Sequence, residues 1–142
     1  MAKQHVSLKN KTILVTGAAG FIGANLVLRL LSEKDAAGEL IPLRVVGVDN
    51  LNDYYDVTLK EYRLGLIAKA AEGSVSSWSF VRGSIADKAL MDRVFSEYKP
   101  AIVVNLAAQA GVRYSIDHPD VYIESNLIGF YNILEACRHN PV

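Results

Sequence analysis

Residues Thr12 to Gly23 read T-I-L-V-T-G-A-A-G-F-I-G, an apolar, β-branched run that passes without a spacer into three glycines set three apart. A strand that ends in a glycine turn and continues directly into a helix aims its free backbone N–H groups at whatever lies beyond the strand. The helix N-terminus adds about half a positive charge at the same place. Both effects favour a phosphate group there. In that arrangement Gly17 takes the tight turn, Gly20 lets backbone approach the phosphates, and Gly23 lets the helix pack closely on the strand. The spacing is G-x-x-G-x-x-G, not G-x-G-x-x-G. A glycine turn with no ligand is therefore the competing reading at this point.

The rest of the chain repeats the strand–helix alternation. The first strand spans about 12–16. The helix after it is expected over 20–33, with Phe21, Ile22, Leu26, Leu30 and Leu31 as its apolar stripe. A loop over 34–42 leads to a second strand over 44–48 that ends at Asp49. After a polar, aromatic loop over 50–57, a second helix is expected at 58–71, with Leu59, Tyr62, Leu66 and Ile67 in helical register. The third strand covers 78–82. Asp87 is placed as the N-cap of a helix over 88–98 that Pro100 stops. A fourth strand over 101–106 precedes one long helix over 117–139, with Pro119 in its first turn. Residues 1–10 read as a loose polar lead-in. The order predicts an α/β chain, a doubly wound parallel sheet with right-handed crossovers and helices on both faces, comprising the first half only. The expected strand order is 3-2-1-4, with the switch point between strands one and four.

A chain of 142 residues is one domain with a real core, and 51% hydrophobic against 21% charged residues is the balance of a well-buried α/β protein. Fifteen basic residues balance fifteen acidic ones, so nothing points to nucleic acid or an anionic membrane as a partner. The lone Cys137 reads as a small apolar residue on a helix face, in keeping with a reducing cytoplasm. His5, His118 and His139 have no companion ligands at metal-binding spacing. The early lysines and apolar run superficially resemble a signal peptide. The run is broken by the glycine turn and followed by Asn25 and Arg29, so a soluble, unexported, cytoplasmic chain is expected.

Two further features join the glycine turn. Asp49 closes the second strand some two dozen residues after Gly23, where a carboxylate accepts hydrogen bonds from the adenosine ribose of a dinucleotide. It would repel a 2′-phosphate, which favours NAD over NADP. Asn105 to Gly111, N-L-A-A-Q-A-G, follows the fourth strand with small residues that let backbone lie against a flat cofactor. Asn126, inside an otherwise apolar helix, is either a surface residue or a hydrogen-bonding brace for that loop.

The segments G-A-A-G-F-I-G, V-D-N-L-N-D-Y-Y-D, N-L-A-A-Q-A-G-V-R-Y-S and Y-I-E-S-N-L-I-G-F-Y-N-I-L-E-A-C-R resemble the extended short-chain dehydrogenase/reductases. Within them the match is to NAD-dependent nucleotide-sugar epimerases and dehydratases, most similar to UDP-glucuronate 4-epimerases, and it covers about 11–141. The resemblance implies a Rossmann-like NAD-binding domain over 11–142. It implies that Gly17, Gly20, Phe21, Ile22 and Gly23 cradle the pyrophosphate and that Asp49 and Asn50 hold the adenosine ribose. Ser84 and Ile85 would line the adenine pocket. Leu106, Ala107 and Ala108 would follow the nicotinamide half, braced by Asn126. Arg113 would sit at the sugar end, where it can pair with a uronate carboxylate.

Three departures stand out. Ser84 replaces the aspartate of many relatives, and Asn105 stands where histidine is common, at a position read as structural. The family's catalytic Tyr-x-x-x-Lys pair is also missing: none of the seven tyrosines has a lysine four residues on. No catalytic residue is therefore assigned, and the expectation is an N-terminal part of a longer enzyme that does not turn over alone. A stand-alone NAD-binding regulatory module and a part of a nucleotide-sugar dehydratase are the alternatives. The free edge of strand four, residues 102–104, and one face of the last helix are expected to lie open and to favour self-association or a homo-oligomer.

Overall fold

The computed structural model describes residues 7–142. Its strands β1 (Thr12–Thr16), β2 (Arg44–Asp49), β3 (Ser77–Arg82) and β4 (Ile102–Asn105) form one parallel sheet in the order β3-β2-β1-β4. This is the doubly wound half that the alternation predicts. Successive side chains of a strand point to opposite faces, so a sheet covered twice needs apolar residues in unbroken runs. β1 and β2 supply them. Ile13, Val15 and Val45 pack under α1 (Phe21–Leu31) and Ile67 of α2 (Val57–Glu72). Leu14, Val46 and Val48 pack under α3 (Lys88–Tyr98) and the helix α6 (Phe130–His139). The outer strands β3 and β4 are only half-buried over their central residues.

Helix boundaries follow local chemistry. The Asp56 carboxylate accepts from Thr58 N at the start of α2, and Asp87 accepts from Leu90 N at the start of α3. Lys99 turns into the left-handed region at φ 46° and Pro100 follows, which ends α3.

Several expectations need correction. Phe21 and Ile22 do not belong to the core stripe of α1: they are 72% and 67% exposed, and Gly23, Ala24, Val27, Leu30 and Leu31 face the sheet instead. In α2 the buried residues are Lys60 and Ile67, while Leu59, Tyr62 and Leu66 face outward. Strand four is shorter than 101–106. It ends at Asn105, because the N–H groups of Leu106 and Ala107 turn away to the Thr16 hydroxyl.

The long last helix is broken into α4 (Tyr114–Asp117), α5 (Pro119–Tyr122), a π-helical segment over Ile123–Gly129 and α6. His118 precedes a proline and is therefore pushed out of helical backbone, at φ −132° and ψ 59°. The π-helical segment contains Asn126, which bonds to the backbone of Gln109. Such wide turns often occur where a helix serves a site. The lead-in is less loose than expected at its described end: Leu8 packs against the core and Asn10 N donates to Pro42 O at 2.7 Å. Residues 1–6, His5 among them, lie outside the described residues.

Candidate functional site

The carboxyl ends of β1, β2 and β4 meet at the switch point, where a cleft of about 190 Å³ opens. The glycine turn forms its floor. Gly17 sits at φ +67°, and a Cβ there would meet the backbone of Leu106 and Ala107 at 2.9 Å. It therefore serves both the turn and the close approach of the β4 loop. A Cβ on Gly23 would lie 2.1 Å from the Gly17 carbonyl oxygen, so the helix is seated on the turn itself. Gly20 caps α1 without a side chain, and the first turn of α1 carries no acidic residue. The first N–H groups of α1 are thus left for an acceptor from outside the helix.

Asp49 lies beside this turn and is 8% exposed. Its carboxylate accepts from Ala19 N at 3.0 Å and from Leu51 N at 2.9 Å. These two bonds fix the plane of the carboxylate and tie the end of β2 to the glycine turn. Each oxygen retains a second lone pair for a further donor. Asn50, Ser84 and Ile85 line the same cleft on one side, and Leu106, Ala107 and Ala108 line it on the other. Ser84 also caps its own loop, its hydroxyl accepting from Ala86 N at 3.1 Å.

A second hollow of about 520 Å³ shares Gly17, Gly20, Tyr55 and Leu106 with the first and adds Phe21, Ile22 and Gly23. The exposure of Phe21 and Ile22 is explained by this: they form the wall of a groove. Arg63 closes the far side, donating to the Tyr55 hydroxyl at 2.8 Å, with its guanidinium 5.9 Å from the Phe21 ring centre. The groove thus offers orphan N–H groups and a guanidinium where a pyrophosphate would lie, and a carboxylate where ribose hydroxyls would lie. It suits an extended, anionic nucleotide.

Two of the sequence-predicted residues line neither hollow. Asn126 resolves as the brace: its Oδ1 accepts from Gln109 N at 2.8 Å and its Nδ2 donates to Gln109 O at 3.0 Å. Arg113 is the exposed N-cap residue of α4 and does not reach the cleft walls.

Sequence reasoning missed several others. Thr16 is fully buried. Its hydroxyl donates to Asn105 Oδ1 at 2.5 Å and accepts from Leu106 N and Ala107 N, both at 3.1 Å, which holds the β4 loop against β1. Lys60, 4% exposed, donates to Asn52 O at 2.8 Å and Asn52 Oδ1 at 2.6 Å and lies 4.7 Å from the Tyr55 ring centre. Burial pushes its pKa below the ordinary lysine value and nearby Arg63 adds to this, while Asp49 and Asp53 pull it back. The polar, aromatic loop over 50–57 signalled Asn52, Tyr54 and Tyr55. Thr16 and Lys60 gave no signal, because a threonine in an apolar strand and a lysine on a helix are ordinary.

Comparison with known proteins identifies the class. The family model for GDP-mannose 4,6 dehydratase matches residues 14–142. The chain belongs to that family. Protein CapI of Staphylococcus aureus is 46% identical over 127 residues, 89% of this chain and 34% of CapI. UDP-glucuronate 4-epimerase 3 of Arabidopsis thaliana is 41% identical over 131 residues, 92% of this chain and 27% of the plant protein. Among solved structures, the UDP-glucose 4-epimerase of Thermus thermophilus in complex with NAD superposes with a TM-score of 0.66 at 36% identity, covering 92% of this chain and 35% of that one. The chain thus spans about a third of the length of the curated relatives it matches. Among the described residues no helix is long and apolar enough to cross a membrane, and no three His, Cys, Asp or Glu side chains gather as a metal site.

Proposed function

We propose that the chain is the NAD-binding half of a nucleotide-sugar 4-epimerase acting on a UDP-sugar, with UDP-glucuronate as the favoured substrate. The observation that carries this is Asp49, whose carboxylate is fixed 3.0 Å from Ala19 N at the end of β2, beside an uncapped helix N-terminus. A dinucleotide fits that pair with its ribose on the carboxylate and its pyrophosphate on the first turn of α1.

The residues divide the work along the groove. Ser84 and Ile85 hold the adenine, Asp49 and Asn50 the ribose, and Gly17, Gly20, Phe21, Ile22 and Gly23 the pyrophosphate. Leu106, Ala107 and Ala108 follow the nicotinamide, on a loop that Thr16 and Asn126 keep in place. NAD supplies a hydride acceptor for the sugar carbon when bound. The protein's part here is to orient it and to exclude a 2′-phosphate by the charge of Asp49. Arg113, exposed beyond the cleft, pairs with a uronate carboxylate in this reading. The general base that takes the sugar hydroxyl proton is not among these tyrosines, since none has a lysine four residues on. In this reading it lies in sequence outside the 142 residues, and the half-buried β4, which among the described residues pairs with β1 alone, offers the edge for self-association.

The reading of UDP-glucuronate rests on the identity to plant and bacterial UDP-glucuronate 4-epimerases. A cytoplasmic location goes with the single free Cys137. Isothermal titration of the chain with NAD and with NADP tests the cofactor site. One NAD per chain and weaker binding of NADP are expected. A folded chain that takes up neither dinucleotide would refute the proposal.

A further inference from the structure

Lys60, Asn52 and Gln109 lie along the cleft, and their hydrogen bonds set which way each side-chain amide faces. An ammonium group only donates, so its 2.6 Å contact assigns the Asn52 carbonyl oxygen to Lys60. The Asn52 amide nitrogen is thereby turned across the cleft to Gln109 Oε1, 3.5 Å away. Gln109 is oriented independently: its Nε2 donates to Ala110 O at 3.2 Å, which leaves its oxygen facing Asn52. Its backbone is clamped on both sides by Asn126. Lys60 and Gln109 are 4% and 5% exposed, so water cannot readily replace these partners.

The two loops joined in this way come from opposite walls. Asn52 belongs to the loop after β2, beside Asp49, and Gln109 to the loop after β4, beside Ala108. The loop after β2 is held again just beyond the second loop, where the Tyr54 ring packs edge to face on Tyr114, the first residue of α4, at 4.9 Å. There Gly111, at φ +100°, leaves the space that the Tyr54 hydroxyl fills.

We propose that Asn52 and Gln109 form a strap across the dinucleotide groove, and that Lys60 is its positioning residue, holding the Asn52 amide in the one orientation that closes it. The proposal rests on the NAD reading above. A dinucleotide running from Asp49 to Ala107 passes between the strapped walls, and it leaves only when the Asn52–Gln109 contact opens. At 3.5 Å that contact is at the long limit of a hydrogen bond, so it is the weakest link of the chain and the place where opening occurs.

Asn52→Asp separates the strap from mere structural support. Aspartate still accepts from Lys60, so the buried lysine stays satisfied, but it has no proton for Gln109. The release of NADH from the whole chain is followed by stopped-flow chase with excess NAD. Asn52→Asp and Lys60→Met are expected to release it about fivefold faster, the worth of one neutral hydrogen bond. Asn52→Asp should do so with an unchanged urea midpoint. In the cofactor-free wild type, NMR should show a nuclear Overhauser contact between the Asn52 and Gln109 side chains. Normal binding with wild-type release from Asn52→Asp overturns the strap, as does absence of that contact. No binding of NAD by the wild type overturns the cofactor reading itself.

Discussion

Gly23→Ala tests the geometry of the glycine turn, because two effects of known size oppose one another. Alanine in place of glycine inside a helix ordinarily stabilises by about 1 kcal/mol. At Gly23 the new Cβ would stand 2.1 Å from the Gly17 carbonyl oxygen, 2.9 Å from its carbon and 3.0 Å from Ala18 Cα. All three are backbone atoms, so no side chain can swing aside. The turn cannot retreat either, since Gly17 already lies against the backbone of Leu106 and Ala107. Inserting a methyl group into such a contact costs about 3 kcal/mol, the upper end of the usual range for overpacking. Less the propensity gain, the net loss is about 2 kcal/mol. Gly65 in α2 has nothing within 4 Å of its would-be Cβ, and Gly65→Ala should gain about 0.5–1 kcal/mol. Urea unfolding followed by circular dichroism measures both against wild type. Opposite signs for the two substitutions are expected. A Gly23→Ala chain as stable as wild type would mean that α1 is not seated on the turn, and the argument for the pyrophosphate cradle would fail with it.

Other residues give independent checks. Thr16→Val leaves Leu106 N and Ala107 N without their acceptor and should lower stability by about 2–3 kcal/mol in urea titration, with a weakened hold on NAD. Asn126→Ala removes both bonds to the Gln109 backbone; a loss of about 2 kcal/mol in the same assay is expected, and none at all would show that the brace is idle. The Asp56 carboxyl is held below its ordinary value by the hydroxyl and the N–H of Thr58. Its folded pKa is lower than its unfolded one. The stability it adds is therefore fully present above 3.8 and is lost as pH falls through the folded value. Asp56→Asn keeps the N-cap and should flatten the decline of the urea midpoint in that acid range. A variant with the wild-type slope would place the acid sensitivity elsewhere.

The alternation of strands and helices by itself determined the parallel sheet and its 3-2-1-4 order, because crossovers of one hand leave few other arrangements. It also determined where the glycine turn and Asp49 would stand, since both sit at strand ends whose positions follow from that order. The identities of the N–H donors to Asp49 were not legible, nor was the role of Thr16, whose three partners lie 89 to 91 residues away. Periodicity misled at Phe21 and Ile22, which are apolar in order to wall a groove rather than to fill the core. It misled again in the last helix, where apolar residues run on at helical spacing through a break at His118 and a π-helical turn at Asn126. Local patterns record which side chains are apolar and at what interval. Tertiary structure alone decides which polar atoms meet across that distance, and here those meetings place Lys60 beneath the loop after β2, Asn126 behind Gln109 and the β4 loop against Thr16.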